Sequence, residues 1–193
     1  MTTWIIDHLL RKVIESMKSA LYWFLMAVFL VHLPPLVVSG VEVGSTFVDF
    51  NLEDPQGKKY SKPYLHGKIT LVVLQSKTTL QDAIRCKTEL KTTIPDNSLV
   101  QMISIMDLRK RPALIPKGVL KSKISAQDQT SKDIPFLLDW DGAVTKALGG
   151  VDNTCKILVV DPALKVVYHQ EYHKPPIDAE IKSLITRLSG EQK

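Results

Sequence analysis

The 193 residues, 45% hydrophobic and 23% charged, leave room for one ordinary folded domain with an extension, and for one core rather than several. The net charge of +5 is mild. The clearest basic cluster, in Asp107 to Lys132, has no interleaved aromatic residue and no surrounding nucleic-acid motif, so no nucleic-acid partner is expected.

The first forty residues differ from the rest. Residues 1–19 are patterned as an amphipathic segment, with Ile6, Leu9, Leu10, Val13, Ile14 and Met17 at helical spacing and Arg11, Lys12, Glu15 and Lys18 elsewhere on the wheel. Residues 20–40 fall in the stretch Ser19 to Val41, which lacks Asp, Glu, Lys and Arg and is about long enough to cross a hydrocarbon core. With Arg11, Lys12 and Lys18 upstream, the positive-inside rule leaves residues 1–19 in the cytoplasm and exports the remainder. The segment reads first as an uncleaved signal anchor. A cleaved secretory signal is the second reading, because Val38 and Gly40 are small and Pro34 and Pro35 end the apolar run; an internal core helix is the third.

Beyond it, strand-like and helix-like stretches alternate, which predicts an α/β domain over residues 43–190. Thr46 to Leu52 and Lys58 to Tyr60 flank the turn sequence Asp54-Pro55-Gln56-Gly57 and predict a hairpin. Ile69 to Leu74 has the composition of a central strand. Leu80, Ala83, Ile84, Leu90 and Ile94 recur at helical intervals until Pro95, Asp96 and Asn97 stop them. A buried strand is expected at Leu99 to Ile105.

Asp107 to Lys132, broken by Pro112 and Pro116, is the least regular part. Arg109, Lys110, Arg111, Lys117, Lys121, Lys123 and Lys132 face only Asp107 and Asp128 there, a cluster able to meet phosphate or anionic lipid but read first as a solvated loop and helix face. Pro135 to Leu138 predicts a short strand, Gly142 to Leu148 a short helix ended by Gly149 and Gly150, and Lys156 to Val160 with Lys165 to Tyr172 a hairpin around Asp161-Pro162. Pro175 and Pro176 open a last helix with Asp178 and Glu180 in its first turn and one apolar stripe of Ile177, Ile181, Leu184, Ile185 and Leu188.

This order, over about Val43 to Leu188, resembles the extracytoplasmic thioredoxin-like proteins related to thiol-disulfide oxidoreductases and peroxiredoxins. Gly67 and Lys68 lead a hydrophobic strand as in that family's GKxxLVxFW segment. Phe136 to Asp139 with Asp141 and Gly142 is similar to its FPVLxDxxG segment, and Gly150 to Asp161 to its GVxGxPTxFLID segment, at equal length. The resemblance implies a three-layer α/β/α domain with a central mixed sheet, preceded by the transmembrane or signal helix.

The same resemblance places the two cysteines of a CxxC motif at Thr79 and Asp82, and the family's cis-proline at Cys155. A redox dithiol needs a thiolate at the helix start and a second thiol one turn on, and Thr79 and Asp82 supply neither. They suit a helix cap instead. Losing the proline argues against a cis bond, which costs about 3 kcal/mol without proline, and removes the substrate clamp that the family's proline implies. Cys86, about 10 Å down the helix axis from Thr79 and flanking the apolar stripe, reads as a core residue. Cys155 reads likewise, and both stay candidate redox thiols. A Cys86–Cys155 disulfide suits an exported protein, yet the family geometry is uncomfortable for it because the Cα atoms must come within about 7 Å.

His169, Glu171 and His173 alternate, so in a strand they leave one face, but over about 13 Å they converge on one ion only with a bend. Asp139 and Asp141 flank Trp140 before a turn glycine and suit a turn. There is no GxGxxG, P-loop, GxSxG or HExxH motif, and no cofactor is expected. The leading expectation is an exported or membrane-anchored thioredoxin-like protein without dithiol catalysis, acting as a binding or accessory module in the cell envelope. Its partners are then the membrane, through the N-terminal helix, and an envelope protein. An atypical thiol enzyme using Cys155 and Cys86, alone or together, comes second, and a metal-binding protein using His169, Glu171 and His173 third.

Overall fold

A computed structural model of the chain describes residues 40–94, 98–127, 133–172 and 179–191. The amphipathic segment, the apolar segment apart from Gly40, the Pro95 to Asn97 stop, His173, and the opening of the last helix with Ile177 lie outside them. No helix among the described residues is long and apolar enough to cross a membrane.

In chain order the elements are β1 (Asn51–Glu53), β2 (Lys59–Ser61), a 3₁₀ turn (Lys62–Leu65), β3 (Ile69–Ser76), α1 (Leu80–Thr93), β4 (Val100–Asp107), α2 (Lys117–Gln127), β5 (Phe136–Asp139), α3 (Ala143–Ala147), β6 (Cys155–Val160), β7 (Val166–Tyr172) and α4 (Ala179–Gly190). They build one mixed sheet of order β2-β1-β5-β4-β3-β6-β7. β3 runs parallel to β4, and β4 to β5, while β3–β6, β6–β7, β1–β5 and β1–β2 are antiparallel.

β3 is central because Ile69 to Leu74 is buried on both faces and apolar throughout except for Thr70, as a strand covered on both sides requires. Val72 and Leu74 face one layer with Ile103, Ile105, Leu137, Leu158 and Val160, covered by Phe47, Phe50, Leu65 and, from α3, Val144. Ile69, Leu71 and Val73 face the other with Ile157 and Val159, covered by Ala83, Cys86 and Leu90 of α1 and Ile181, Leu184 and Ile185 of α4. Each such fully buried aliphatic side chain is worth about 1.5 to 3 kcal/mol.

Three expectations change. β3 and β4 run on to Ser76 and Asp107, paired through that last residue, because the parallel ladder continues where the apolar pattern has already stopped. The N-terminal hairpin pairs only over Asn51–Glu53 with Lys59–Ser61; Thr46 instead bridges Lys165. The segment expected to be irregular holds α2. Its polar surface conceals the helix: only Ile124 is buried, with Leu120 partly so, against Met106, Phe136 and Leu138, and Pro116 stands just before its start, a position where proline is tolerated.

Candidate functional site

The C-terminal ends of the parallel strands β3 and β4 open on a cleft of about 320 Å³. Its walls are Ser76, Lys77 and Thr78 before α1, Met106, Asp107 and Leu108 at the end of β4, Arg111, Pro112 and Ile115 in the following loop, and Leu120, Lys123 and Ile124 of α2. Asp152 and Asn153, in the loop before Cys155, complete it. The site thus lies where open α/β sheets commonly bind ligands, beyond the carboxyl ends of their strands.

A charge network shapes the mouth. Arg109 donates from Nε (2.8 Å) and Nη2 (2.6 Å) to Asp107 Oδ2, and Nη2 lies 3.9 Å from Asp152. Lys110 Nζ reaches Asp152 Oδ2 at 2.7 Å. The hydrogen bond from Lys110 holds the Asp152 carboxyl below the usual carboxylate range, and that to Asp107 raises the Arg109 guanidinium. Gly142 is needed here: with φ at 70°, a Cβ on it would lie 2.1 Å from Arg109 Cδ. Lys77 and Lys123 have no acidic partner among the described residues.

The wall formed by α2 is fastened through Trp140. Trp140 Nε1 donates to Glu53 Oε1 at 3.1 Å, and Lys121 Nζ lies 2.8 Å from the same oxygen. Arg111 donates to the Trp140 carbonyl at 2.7 Å, and the Trp140 ring receives Arg111 Cζ at 5.3 Å and Lys117 Nζ at 4.9 Å. Three residues of the basic cluster read as a solvated face, Arg111, Lys117 and Lys121, therefore tie α2 and the loop before it to Trp140 and Glu53.

Thr79 occupies the N-cap of α1, but its hydroxyl does not cap the helix. It turns back, accepting from the Ser76 N–H at 2.8 Å, so the Ser76 to Thr79 turn is closed on itself. Asp82 lies in the first turn and pairs with Arg85 at 3.8 Å. Neither side chain lines the cleft.

Cys86 does not flank the apolar stripe of α1; it is in it, fully buried between Ala83 and Leu90. Cys155 begins β6 on the same face, with Ile157 and Val159. Both thiols are free. The Cys155 thiol and burial push the Cys86 thiol far above its ordinary range. The signal was present in two periodicities, since a 3.6-residue stripe and a two-residue alternation carry the cysteines into one layer.

Asp139 and Asp141 are a split pair. Asp139, fully buried, accepts from the Thr145 N–H (2.7 Å) and hydroxyl (2.8 Å) at Oδ2, while its buried Oδ1 has no hydrogen-bond partner among the described residues. Burial, opposed by the Thr145 bonds, pushes Asp139 up, while the Ala143 N–H holds exposed Asp141 down. Both serve the turn into α3, as expected. His169 and Glu171 are exposed on β7, with Lys156 opposite Glu171. Among the described residues no group of three His, Cys, Asp or Glu side chains is placed to hold a metal.

No family model and no curated protein matches the chain. Solved structures do. A candidate protein disulfide isomerase from Bacteroides thetaiotaomicron is 18% identical with a TM-score of 0.56, over 77% of this chain and 89% of that one. The thiol:disulfide interchange protein DsbE candidate from Chlorobium tepidum is 14% identical with a TM-score of 0.52, over 79% and 99%. A thiol peroxidase from Chromobacterium violaceum is 14% identical with a TM-score of 0.53, over 80% and 90%. At such identities the likeness carries the fold and not the activity. The chain has the thioredoxin-like fold and no CxxC motif.

Proposed function

We propose that this thioredoxin-like protein works without dithiol catalysis, as a binding or accessory module whose cleft beyond β3 and β4 receives a segment of a partner protein. The observation that carries this is the separation of thiols from the cleft: the start of α1 offers Thr79 and Asp82, while Cys86 and Cys155 are buried beneath it. A thiol that is protonated and enclosed is neither a nucleophile nor a leaving group for a large disulfide substrate. The cleft favours an extended segment with an aliphatic side chain over Met106, Leu120 and Ile124 and carboxylates toward Lys77 and Lys123. Leu114, 97% exposed beside Ile115, extends the apolar surface outward.

Residues 20–40 supply the second half of the proposal, an anchor or export signal that puts the domain in the cell envelope, facing away from the cytoplasm. Their length and lack of charge support it.

Insulin-disulfide reduction and hydroperoxide turnover test the first half. No turnover above the uncatalysed rate is expected, with wild type and the Cys86→Ser, Cys155→Ser double variant alike. Turnover that disappears in either single variant establishes the thiol-enzyme alternative instead. Binding of acidic-aliphatic peptides is expected to fall at least about tenfold in Lys77→Glu with Lys123→Glu, as two reversed contacts imply. Protease protection of the intact cell's chain checks the topology.

A further inference from the structure

Just ahead of α2 the chain makes an apolar projection. The Ile115 N–H donates to the Pro112 carbonyl at 3.2 Å, closing a turn with Ala113 and Leu114 at its tip. Pro112 and Ile115 line the cleft, whereas Leu114, almost wholly exposed, and Val119 at the start of α2, 47% exposed, do not. The tip thus points away from the site already described. Its base is fixed, because Arg111 donates to the Leu108 carbonyl at 3.4 Å and the Trp140 carbonyl at 2.7 Å, so little order is lost when the tip docks.

Positive charge flanks this tip on both sides. Residues 109–123 hold Arg109, Lys110, Arg111, Lys117, Lys121 and Lys123 and no Asp or Glu. Asp107, Asp152 and Glu53 pair with Arg109, Lys110 and Lys121, which leaves Arg111, Lys117 and Lys123 without an ion pair among the described residues. We infer that this end of the domain docks on a bilayer containing anionic lipid, with Ala113 and Leu114 entering the headgroup layer and Arg111, Lys117 and Lys123 meeting lipid phosphates. An apolar tip between cations matches a surface that has phosphate outside and hydrocarbon beneath. The chain also enters the domain close by: a Cβ on Gly149 would lie 3.0 Å from Gly40 Cα, and Asp152, three residues on, holds Lys110. An anchor in residues 20–40 keeps that end beside the bilayer; this support rests on the anchor proposed above, and the tip and its cations stand without it.

Bimane attached through Ala113→Cys in the full-length chain tests this, with its position checked by peptide mass. The vesicles are phosphatidylcholine alone, or roughly two parts of it to one of phosphatidylglycerol. In the mixed vesicles a nitroxide at the lipid headgroup is expected to quench the dye at least about threefold more strongly than in phosphatidylcholine, and about 0.5 M salt to remove most of that difference. Leu114→Asp is expected to abolish the quenching, and Lys117→Gln with Lys123→Gln to lower it at least about twofold. All three side chains are exposed, so unchanged circular dichroism is expected alongside. Equal quenching in the two vesicles overturns the anionic preference; a dye unquenched in both, or quenching that survives Leu114→Asp, overturns the docking. Flotation of the same samples reads the anchor separately. Protein that floats with both vesicles while its dye stays unquenched keeps the anchor and loses this surface, whereas protein that floats only with the mixed vesicles keeps the surface and loses the anchor.

Discussion

The start of α1 and its second turn hold opposite environments on one helix. At the start, backbone N–H groups and the helix dipole could stabilise a thiolate beside an open cleft, yet Thr79 and Asp82 stand there. About two turns further on, Cys86 lies, like Cys155, in a layer of Ile, Val and Leu side chains where its thiolate is suppressed. Position along a helix, and not the presence of sulfur, decides whether this fold does redox chemistry. A thiol placed at the first position is reactive, and at the second it is packing material.

Exchanging the two environments is the strongest way to break that contrast. Alkylation of Cys86 and Cys155 in the reduced native protein is expected to be at least about a thousandfold slower than in denaturant, since it waits on opening of the core. Thr79→Cys with Asp82→Cys is expected to label at nearly the rate of an open thiol and to gain insulin reduction; mass-resolved labelling distinguishes the four sulfurs. Equal labelling of old and new thiols removes the contrast.

Packing separates the same two regions. Ile181→Ala, opposite Cys86 in the α4 layer, is expected to cost about 3 kcal/mol in urea unfolding, and Ile124→Ala on the cleft wall about 2 kcal/mol, because the α2 surface can settle into the lost volume. Gly150→Ala, at the turn leading to Cys155, brings a Cβ to 2.4 Å from Thr145 Cγ2 and 3.0 Å from its carbonyl oxygen. About 2 kcal/mol is the expected loss, and a shift of the cleft loop the accompanying change in Lys110–Asp152 pairing by NMR.

Asp139 and Asp141 repeat the lesson with carboxyls, and pH reads it. Asp139 has a raised folded-state pKa, so the stability it contributes is complete below its unfolded pKa and is lost as pH rises through the raised value. Asp141, with a lowered one, contributes stability above its unfolded pKa that is lost as pH falls through the lowered value. Asp139→Asn keeps a neutral acceptor for Thr145 and removes the first loss. It is expected to be more stable than wild type by about 1 kcal/mol near neutral pH, and not below about pH 3, by denaturant midpoints.

Most of the fold could be read from the chain because its elements carry local periodicities. The doubly apolar run of β3, the stripe of α1, the alternation in β6 and the matched segments around Gly67, Phe136 and Gly150 each act within a few residues. α2 escaped because one buried side chain leaves no stripe to see. The loss of the dithiol was equally local, since a residue type at a known position is all it requires.

The sequence by itself therefore determined the layer architecture, the sulfur-free start of α1 and the apolar segment ahead of the domain. Only the tertiary structure decided that the loop before Cys155 shares a cleft with the Ser76 turn and α2, that Arg109 and Trp140 hold that cleft in shape, and that Cys86 and Cys155 are buried in one apolar layer. Periodicity assigns a side chain to a face, whereas contact between faces depends on crossover packing and sheet order, which bring residues about 70 positions apart together.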